Sequence, residues 1–464
     1  MKLTDVSQML LSVFQQNKPN IKLKRTTENI LLNFHQEMQE AYKYVIKIQP
    51  NVRIIKIEHV SQIPRPNKFP SSAFPKEVRE RINEKSAIDL FYSYSLYGRI
   101  IEFHFVTEKN RQFHIEDFNK YSLAMLMWLY IVNQYASKSC SKRLTVFLYF
   151  TELSKKLPTT NMDILNQTHV NTAFTTTCPT NSEIVVYRKE EWFKVFLHET
   201  FHNFALDFSD MNTWECHSTI LKIFKVKSDV NLYESYTEYW ARIMNCCFCS
   251  FFSIQNQMDL ERGKESISGW DANEFNSMKS QPQSVSDVVS NVHIPLNGSK
   301  QTSSMFLFYF KNCIETEIIY GFFQMVKALD FMGLTYQDLY ANTQKSIYLR
   351  EHMYKENTNV LSYYVIQMVL LNSFQSFLEW CDENNTSLLQ FKKTYKNLRD
   401  FCDFIDKKYK TKSMLDGVYQ AEEILKQIKE GFKSQMGTGT GTNKNKDAMY
   451  FLLSNLRMTV CELS

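Results

Sequence analysis

The chain has 464 residues, with 54 basic and 49 acidic side chains giving a net charge of +5 and no concentrated basic run, a balance that argues against a nucleic-acid partner. Hydrophobic residues make up 44%, with 35 Phe and 25 Tyr among the aromatics, enough for a large aromatic-rich core in a globular chain of two or three domains. The most apolar segment, Tyr121 to Val132, is too short to span a bilayer, and Met1 to Asn20 lacks the basic start, apolar run and cleavage site of a secretory signal, so neither membrane insertion nor secretion is expected.

In chain order, Thr27 to Tyr44 and Phe118 to Tyr135 have the apolar period of helices. Between them Val52 to Val60 and Arg99 to Thr107 alternate apolar and polar residues like half-buried strands, and Pro64, Pro66, Pro70 and Pro75 break the intervening chain into a surface connection. Leu144 to Thr151 predicts a third strand. Val170 to Thr176, a turn around Pro179 to Ser182, and Glu183 to Arg188 predict a β-hairpin feeding into a helix that begins near Glu191. Helices follow over Trp214 to Phe224 and Leu232 to Phe248. Residues 253–304 are rich in Gly, Pro, Ser, Asn and Gln and predict a loop-rich insertion.

A helical C-terminal subdomain over 305–436 follows from the periodicity of Met305 to Phe331, Val360 to Trp380, Leu388 to Phe404 and Leu415 to Lys433. Alternating Gly and Thr from Gly437 predict a flexible linker over 437–446, and residues 447–464 carry a last helix, Asp447 to Met458. Residues 1–143 read as an N-terminal α/β region that adds strands to the sheet, and 144–252 as the core that holds the chemistry. Only 11 glycines occur, with Gly98 the sole one before Gly263, so few turns at positive φ are expected. The ten cysteines show no framework spacing, and Cys246, Cys247 and Cys249 follow an apolar helix; free, buried thiols in a reducing, cytoplasmic compartment are expected.

The chemistry sits in Glu191 to Leu206, which contains His198-Glu199-Thr200-Phe201-His202. On a helix, four-residue spacing puts both imidazoles on one face, where they can converge on one ion, while Glu199 lies about 100° around, within reach of a water held by that ion. Phe193, Phe196, Leu197, Phe201, Phe204 and Ala205 fill most of the remaining circumference, which describes a buried helix. Two imidazoles and a carboxylate in such a place need partners, and a cation is the most economical one. A catalytic zinc site needs a third protein ligand, and Glu234 and Glu238 offer two carboxylates one turn apart among Tyr233, Tyr236, Tyr239 and Trp240.

Together these two motifs resemble the gluzincin clan of zinc metallopeptidases, in which His-Glu-x-x-His on one helix is followed by Glu-x-x-x-acid on a second. The resemblance implies an α+β fold with a zincin-like mixed sheet, the His-Glu helix, and a mainly helical C-terminal subdomain. It implies one Zn2+ per chain held by His198, His202 and Glu234, with Glu238 bracing a histidine and Glu199 as general base in hydrolysis of a protein or peptide substrate. Asn171-Thr172-Ala173-Phe174 is similar to the Asn-Ala-Phe edge strand of thermolysin-like enzymes, which implies substrate pairing along Asn171 and Ala173. Gluzincins add a Tyr or His as oxyanion stabiliser, for which Tyr363, Tyr364, His352 and Tyr354 are the candidates. The block from Asn171 to His202 and the Lys/Asn/Phe/Tyr-heavy composition also look like proteins of large DNA viruses, which implies packaging in a virion. From another class, a catalytically silent zincin-fold structural or virion-assembly protein is the alternative; an intact Glu199 favours the enzyme. The sequence sets no oligomeric state.

Overall fold

The computed structural model describes residues 1–109, 114–261, 298–438 and 443–463. Its strands are β1 (Asn51–Lys56), β2 (Ser86–Leu96), β3 (Arg99–Glu108), β4 (Arg143–Tyr149), β5 (Leu165–Asn166), β6 (Ala173–Thr175), β7 (Asn181–Val186) and β8 (Glu356–Asn357). The first helices are α1 (Asp5–Phe14), α2 (Arg25–Val45), α3 (Lys76–Lys85), α4 (Ile115–Tyr135), α5 (Gln167–Val170), α6 (Trp192–Asn203), α7 (Trp214–Ile223), α8 (Leu232–Glu261) and α9 (Gly298–Phe331); further helices occupy most of 344–454. The class is α+β. Among the described residues, no helix is long and apolar enough to cross a membrane.

Six strands form one mixed sheet in the order β1-β2-β3-β4-β7-β6, with β3, β4 and β7 parallel and both edges antiparallel. Period-two alternation divides its faces. Leu144, Val146 and Leu148 of β4 and Ile184 and Val186 of β7 join the main core, whereas Phe147, Tyr149 and Val185 join a small cluster under the proline-rich connection and α3. On the main face α6 packs against β6, β7, α4 and α8, and α8 packs against α2 and α9. Trp128 of α4 fixes α6 from behind: its Nε1 donates to Thr200 Oγ1 at 2.6 Å and its ring stacks on Phe201 at 5.8 Å.

The predicted hairpin is present as β6 and β7, and β1, β3 and β4 lie within a few residues of the expected strands. Strand β2 is an addition. Its core positions include Tyr92 and Tyr94, whose hydroxyls donate to Asn119 Oδ1 at 2.8 Å and Ser122 Oγ at 3.0 Å. A tyrosine that buries its ring and satisfies its hydroxyl on a neighbouring helix does not register in an apolar–polar alternation.

Several expected boundaries move. Residues 253–261 of the expected insertion continue α8, its last residues open α9, and 262–297 lie outside the described residues. Of the expected linker 437–446, residues 437–438 end the helix Lys412–Thr438 and 443–446 begin the helix Asn443–Ser454, while 439–442 lie outside the described residues. The low helix propensity of Gly and Thr is a weak prior, tolerated at the ends of helices docked elsewhere. The helix expected from Leu388 starts at Tyr395, where Thr394 caps it. Eight cysteines are free as expected, seven of them buried and Cys313 half-buried, but Cys140 and Cys178, 38 residues apart, form a disulfide. Sequence spacing carries no sign of it, because the turn between β6 and β7 is brought to the end of α4 only by the sheet.

The last helix ends at Ser454, not Met458, and residues 455–463 run buried into the core. Buried carboxylates satisfy this segment's backbone, as an interior strap requires. Glu191 Oε1 accepts the N–H groups of Met458, at 2.7 Å, and Thr459. Glu317 Oε1 accepts those of Val460 at 2.8 Å and Cys461 at 2.9 Å, while its other oxygen pairs with Arg242 Nη2 at 2.8 Å. Removing one partner of such a pair strands a buried charge. Glu317→Ala is therefore expected to cost about 3–5 kcal/mol. Glu58→Ala, which breaks the exposed pair with Lys56, should stay within about 0.5 kcal/mol. Urea unfolding of both variants measures the contrast; equal midpoints would refute it.

Candidate metal centre

Helix α6 is buried at every position, as its wheel predicts, so its polar residues must be satisfied from neighbouring elements. Both of its ends are built to supply partners. At the N-terminus Glu191 takes a left-handed conformation, φ 59°, and its Oε2 accepts from Lys155 Nζ at 2.6 Å. At the C-terminus Ala205, φ 54°, reverses the chain, with Leu206 N–H bonded to Phe201 O at 2.9 Å. The reversal returns Asp207 to His202, whose Nδ1 bonds to Asp207 Oδ2.

Helix α8 brings the carboxylates. Glu238 Oε2 lies 3.1 Å from His198 Nδ1, and Lys194 Nζ donates to both Glu238 oxygens at 2.8 and 3.0 Å. Glu234 Oε2 lies 3.1 Å from His198 Nε2 and 3.4 Å from His202 Nε2, and the two Nε2 atoms are 3.1 Å apart. His198, His202 and Glu234 thus form a triad whose donor atoms could hold one metal ion.

The donor chemistry fits a cation. With an ion bound, each Nδ1 would keep the ring proton against its carboxylate, Glu238 or Asp207, and each Nε2 would turn a lone pair to the ion. Three lone pairs at such separations repel unless a positive charge lies between them. Tetrahedral zinc with bonds of 2.0–2.1 Å would separate its ligand atoms by about 3.3 Å, close to the observed edges.

Without an ion, the same carboxylates and imidazoles shift one another. Burial raises the Glu234 carboxyl, but His202 and His198 outweigh it and hold Glu234 well below the usual carboxylate range. Burial likewise raises Glu238, yet Lys194 and His198 bring it down to about 2. Burial lowers His202, but Asp207 and Glu234 lift it well above its ordinary value; Glu234 and Glu238 lift His198 in the same sense. Glu199 shifts upward: burial raises its carboxyl more than the two imidazoles lower it.

Of the four candidate stabilisers, the fold brings Tyr363 to the triad. Its hydroxyl donates to Glu234 Oε2 at 2.9 Å and its ring lies 5.9 Å from that of His198. It projects from a π-helical turn, Leu361–Ile366, a distortion that often marks functional sites. The other three lie elsewhere. Tyr364 donates to Leu456 O at 2.6 Å, Tyr354 is buried beside Glu356, and His352 is exposed and bonded to Tyr348 O at 2.9 Å. Ala173 opens the edge strand β6, but the intervening Thr172 leaves Asn171 outside it, with Asn171 Oδ1 bonded to Thr358 Oγ1 at 2.9 Å. Asn203, next to His202, donates to Thr175 Oγ1 at 2.9 Å and so joins β6 to α6. Sequence reasoning did not find Asp207 or Lys194. The first depends on a left-handed turn without glycine, the second on the crossing of α6 and α8.

No protein-family model, curated protein or solved structure matches the chain.

Two measurements test the centre. Purified protein should carry about one zinc per chain, lost in His198→Ala, and lost on acidification because protons compete for both imidazoles. Both imidazoles are shifted upward when no ion is bound, which favours the protons in that competition. In competition with a chelator, Glu234→Gln should weaken zinc far more than Glu238→Gln or Asp207→Asn, each of which should cost about 10–100-fold. Glu238→Gln weaker than Glu234→Gln would exchange their roles.

Proposed function

We propose that the protein is a zinc-dependent peptidase with a zincin-like fold, of the gluzincin type. The observation that carries this reading is the triad of His198 Nε2, His202 Nε2 and Glu234 Oε2, braced by Glu238 and Asp207, with the buried carboxyl of Glu199 one residue from the first ligand. A divalent zinc held there would acidify a water and polarise a carbonyl.

This chain's residues supply the rest. Glu199, its carboxyl raised by burial, takes a proton from the attacking water and later delivers it to the leaving amine, a role that needs a base closer to neutrality than an ordinary glutamate. Tyr363 donates from its phenol to the oxyanion, which it reaches by exchanging its bond to Glu234. The free edge of β6 takes the extended substrate through backbone pairing, which needs no particular side chain. Lys194 neutralises Glu238, so the brace on His198 does not add a second uncompensated negative charge beside Glu234.

Glu199→Gln should keep fold and zinc but lower kcat/KM on a quenched-fluorescent peptide library by about a hundredfold or more. Wild-type turnover in that variant would end the peptidase reading. Tyr363→Phe should lower kcat more than it raises KM, since its bond to the oxyanion forms only in the transition state.

A further inference from the structure

Five arginines are buried among the described residues, and four of them, Arg99, Arg242, Arg350 and Arg457, each donate to two or more acceptors, with Arg242 leaving only its Nε unpaired. Arg188 is different. Its side chain is 2% exposed, yet it donates only from Nη2 to the carbonyl of Thr168, and its Nε and Nη1 have no partner. Of the five N–H donors of a guanidinium, about four therefore stay open. Among the described residues it has no carboxylate within ion-pair distance. A charge that cannot be neutralised by losing its proton is costly to bury in this state, and an anionic partner relieves that cost.

Its position in the fold says which anion. Arg188 lies two residues beyond Val186, on the α6 side of the sheet by strand alternation, and neighbouring Tyr187 donates its N–H to Thr172 O at 2.9 Å. It thus sits at the start of β6, the strand whose other end, Thr175, is bonded to Asn203 beside His202. Three residues of extended chain, about 10 Å, separate the two ends. Beside it Thr172 Oγ1 is buried without a partner as well.

Resting on the peptidase reading above, we propose that Arg188 anchors a carboxylate of the substrate, an acidic side chain or the free C-terminus, about three residues from the bond to be cleaved. Planar, bidentate capture of a carboxylate is what an open guanidinium does best.

The test uses Glu199→Gln, which binds without turnover, and labelled hexapeptides of Ala and Phe made in matched pairs: central Glu against Gln, and free against amidated C-terminus. One acidic member should bind about tenfold or more tightly than its neutral partner. The preference should vanish in both Arg188→Gln and Arg188→Met, and the pair that loses it identifies the source of the carboxylate. Equal binding of both pairs by the Arg188 protein overturns the proposal, and this comparison needs no folded Arg188 variant. In that outcome cleavage of neutral peptides by wild type would leave the peptidase reading standing. If no peptide binds or is cleaved, that reading falls, and thermal unfolding in acetate against chloride at equal ionic strength decides on the anion site alone. An acetate-dependent rise in midpoint that requires Arg188 supports it; the same response in wild type and Arg188→Met, or none in wild type, overturns it.

Discussion

The arrangement around α6 follows from one constraint, that a helix buried on every side carries two imidazoles and a glutamate. The two imidazoles cannot turn freely to bulk water, so their ring nitrogens must be met by fixed partners. Asp207 and Glu238 meet the outer ring nitrogens, Lys194 meets Glu238, and Glu234 closes the triad. Supplying those partners dictates where neighbouring elements go: the crossing of α8, the chain reversal after α6, and the π-helical turn that carries Tyr363. Three acids converge on two histidines here, and once Lys194 has offset Glu238 two negative charges remain, a number that one divalent cation balances.

The buried ionic pairs next to this centre serve position more than net stability. Lys155 with Glu191, Lys194 with Glu238 and Arg242 with Glu317 are all nearly inaccessible, and a pair of that kind contributes little net energy once its desolvation is counted. What they do is fix geometry. Glu191 and Glu317 together accept the backbone N–H groups of Met458 to Cys461, so the final segment is wired to the start of α6 and to α9. The start of α6 is thus held by residues more than 250 positions away in sequence.

How much of this was legible beforehand depended on whether the signal was local. His198, Glu199 and His202 could be read because helical spacing alone brings them together, and the Glu234–Glu238 pair because it repeats one turn. The sheet's central strands were legible through alternation. Asp207 was not, since nothing in Asn203-Phe204-Ala205-Leu206-Asp207 advertises a left-handed turn. Lys194 read as one more residue of a helix start, because only the crossing with α8 gives it Glu238. Among four aromatic or imidazole candidates, the choice of Tyr363 came from the π-helical register, which turns adjacent tyrosines to different partners: Tyr363 to Glu234 and Tyr364 to Leu456.

Glycine scarcity proved a poor guide to where the backbone is strained, and the reason bears on the site. Among the described residues five non-glycine residues have positive φ, and four of them, Ser141, Cys178, Glu191 and Ala205, adjoin α6 or the loops that hold it. Ser141 Oγ bonds to Asn203, and the N–H of Cys178 donates to Asn203 O at 3.1 Å, so the disulfide-linked pair of loops grips the C-terminal end of the helix next to His202. Each left-handed non-glycine residue costs about 1–2 kcal/mol. Strain of that kind persists only where surrounding contacts over-determine the conformation. Here those contacts are the disulfide, the Glu191 network and the Asp207–His202 bond. Glycine would relieve the strain and with it the side chains: the carboxylate of Glu191 binds the buried segment, and a freer residue at 205 would loosen the return of Asp207. Residues with side chains at these turns hold α6 in one register, so that two nitrogens and an oxygen meet within 3.4 Å of one another.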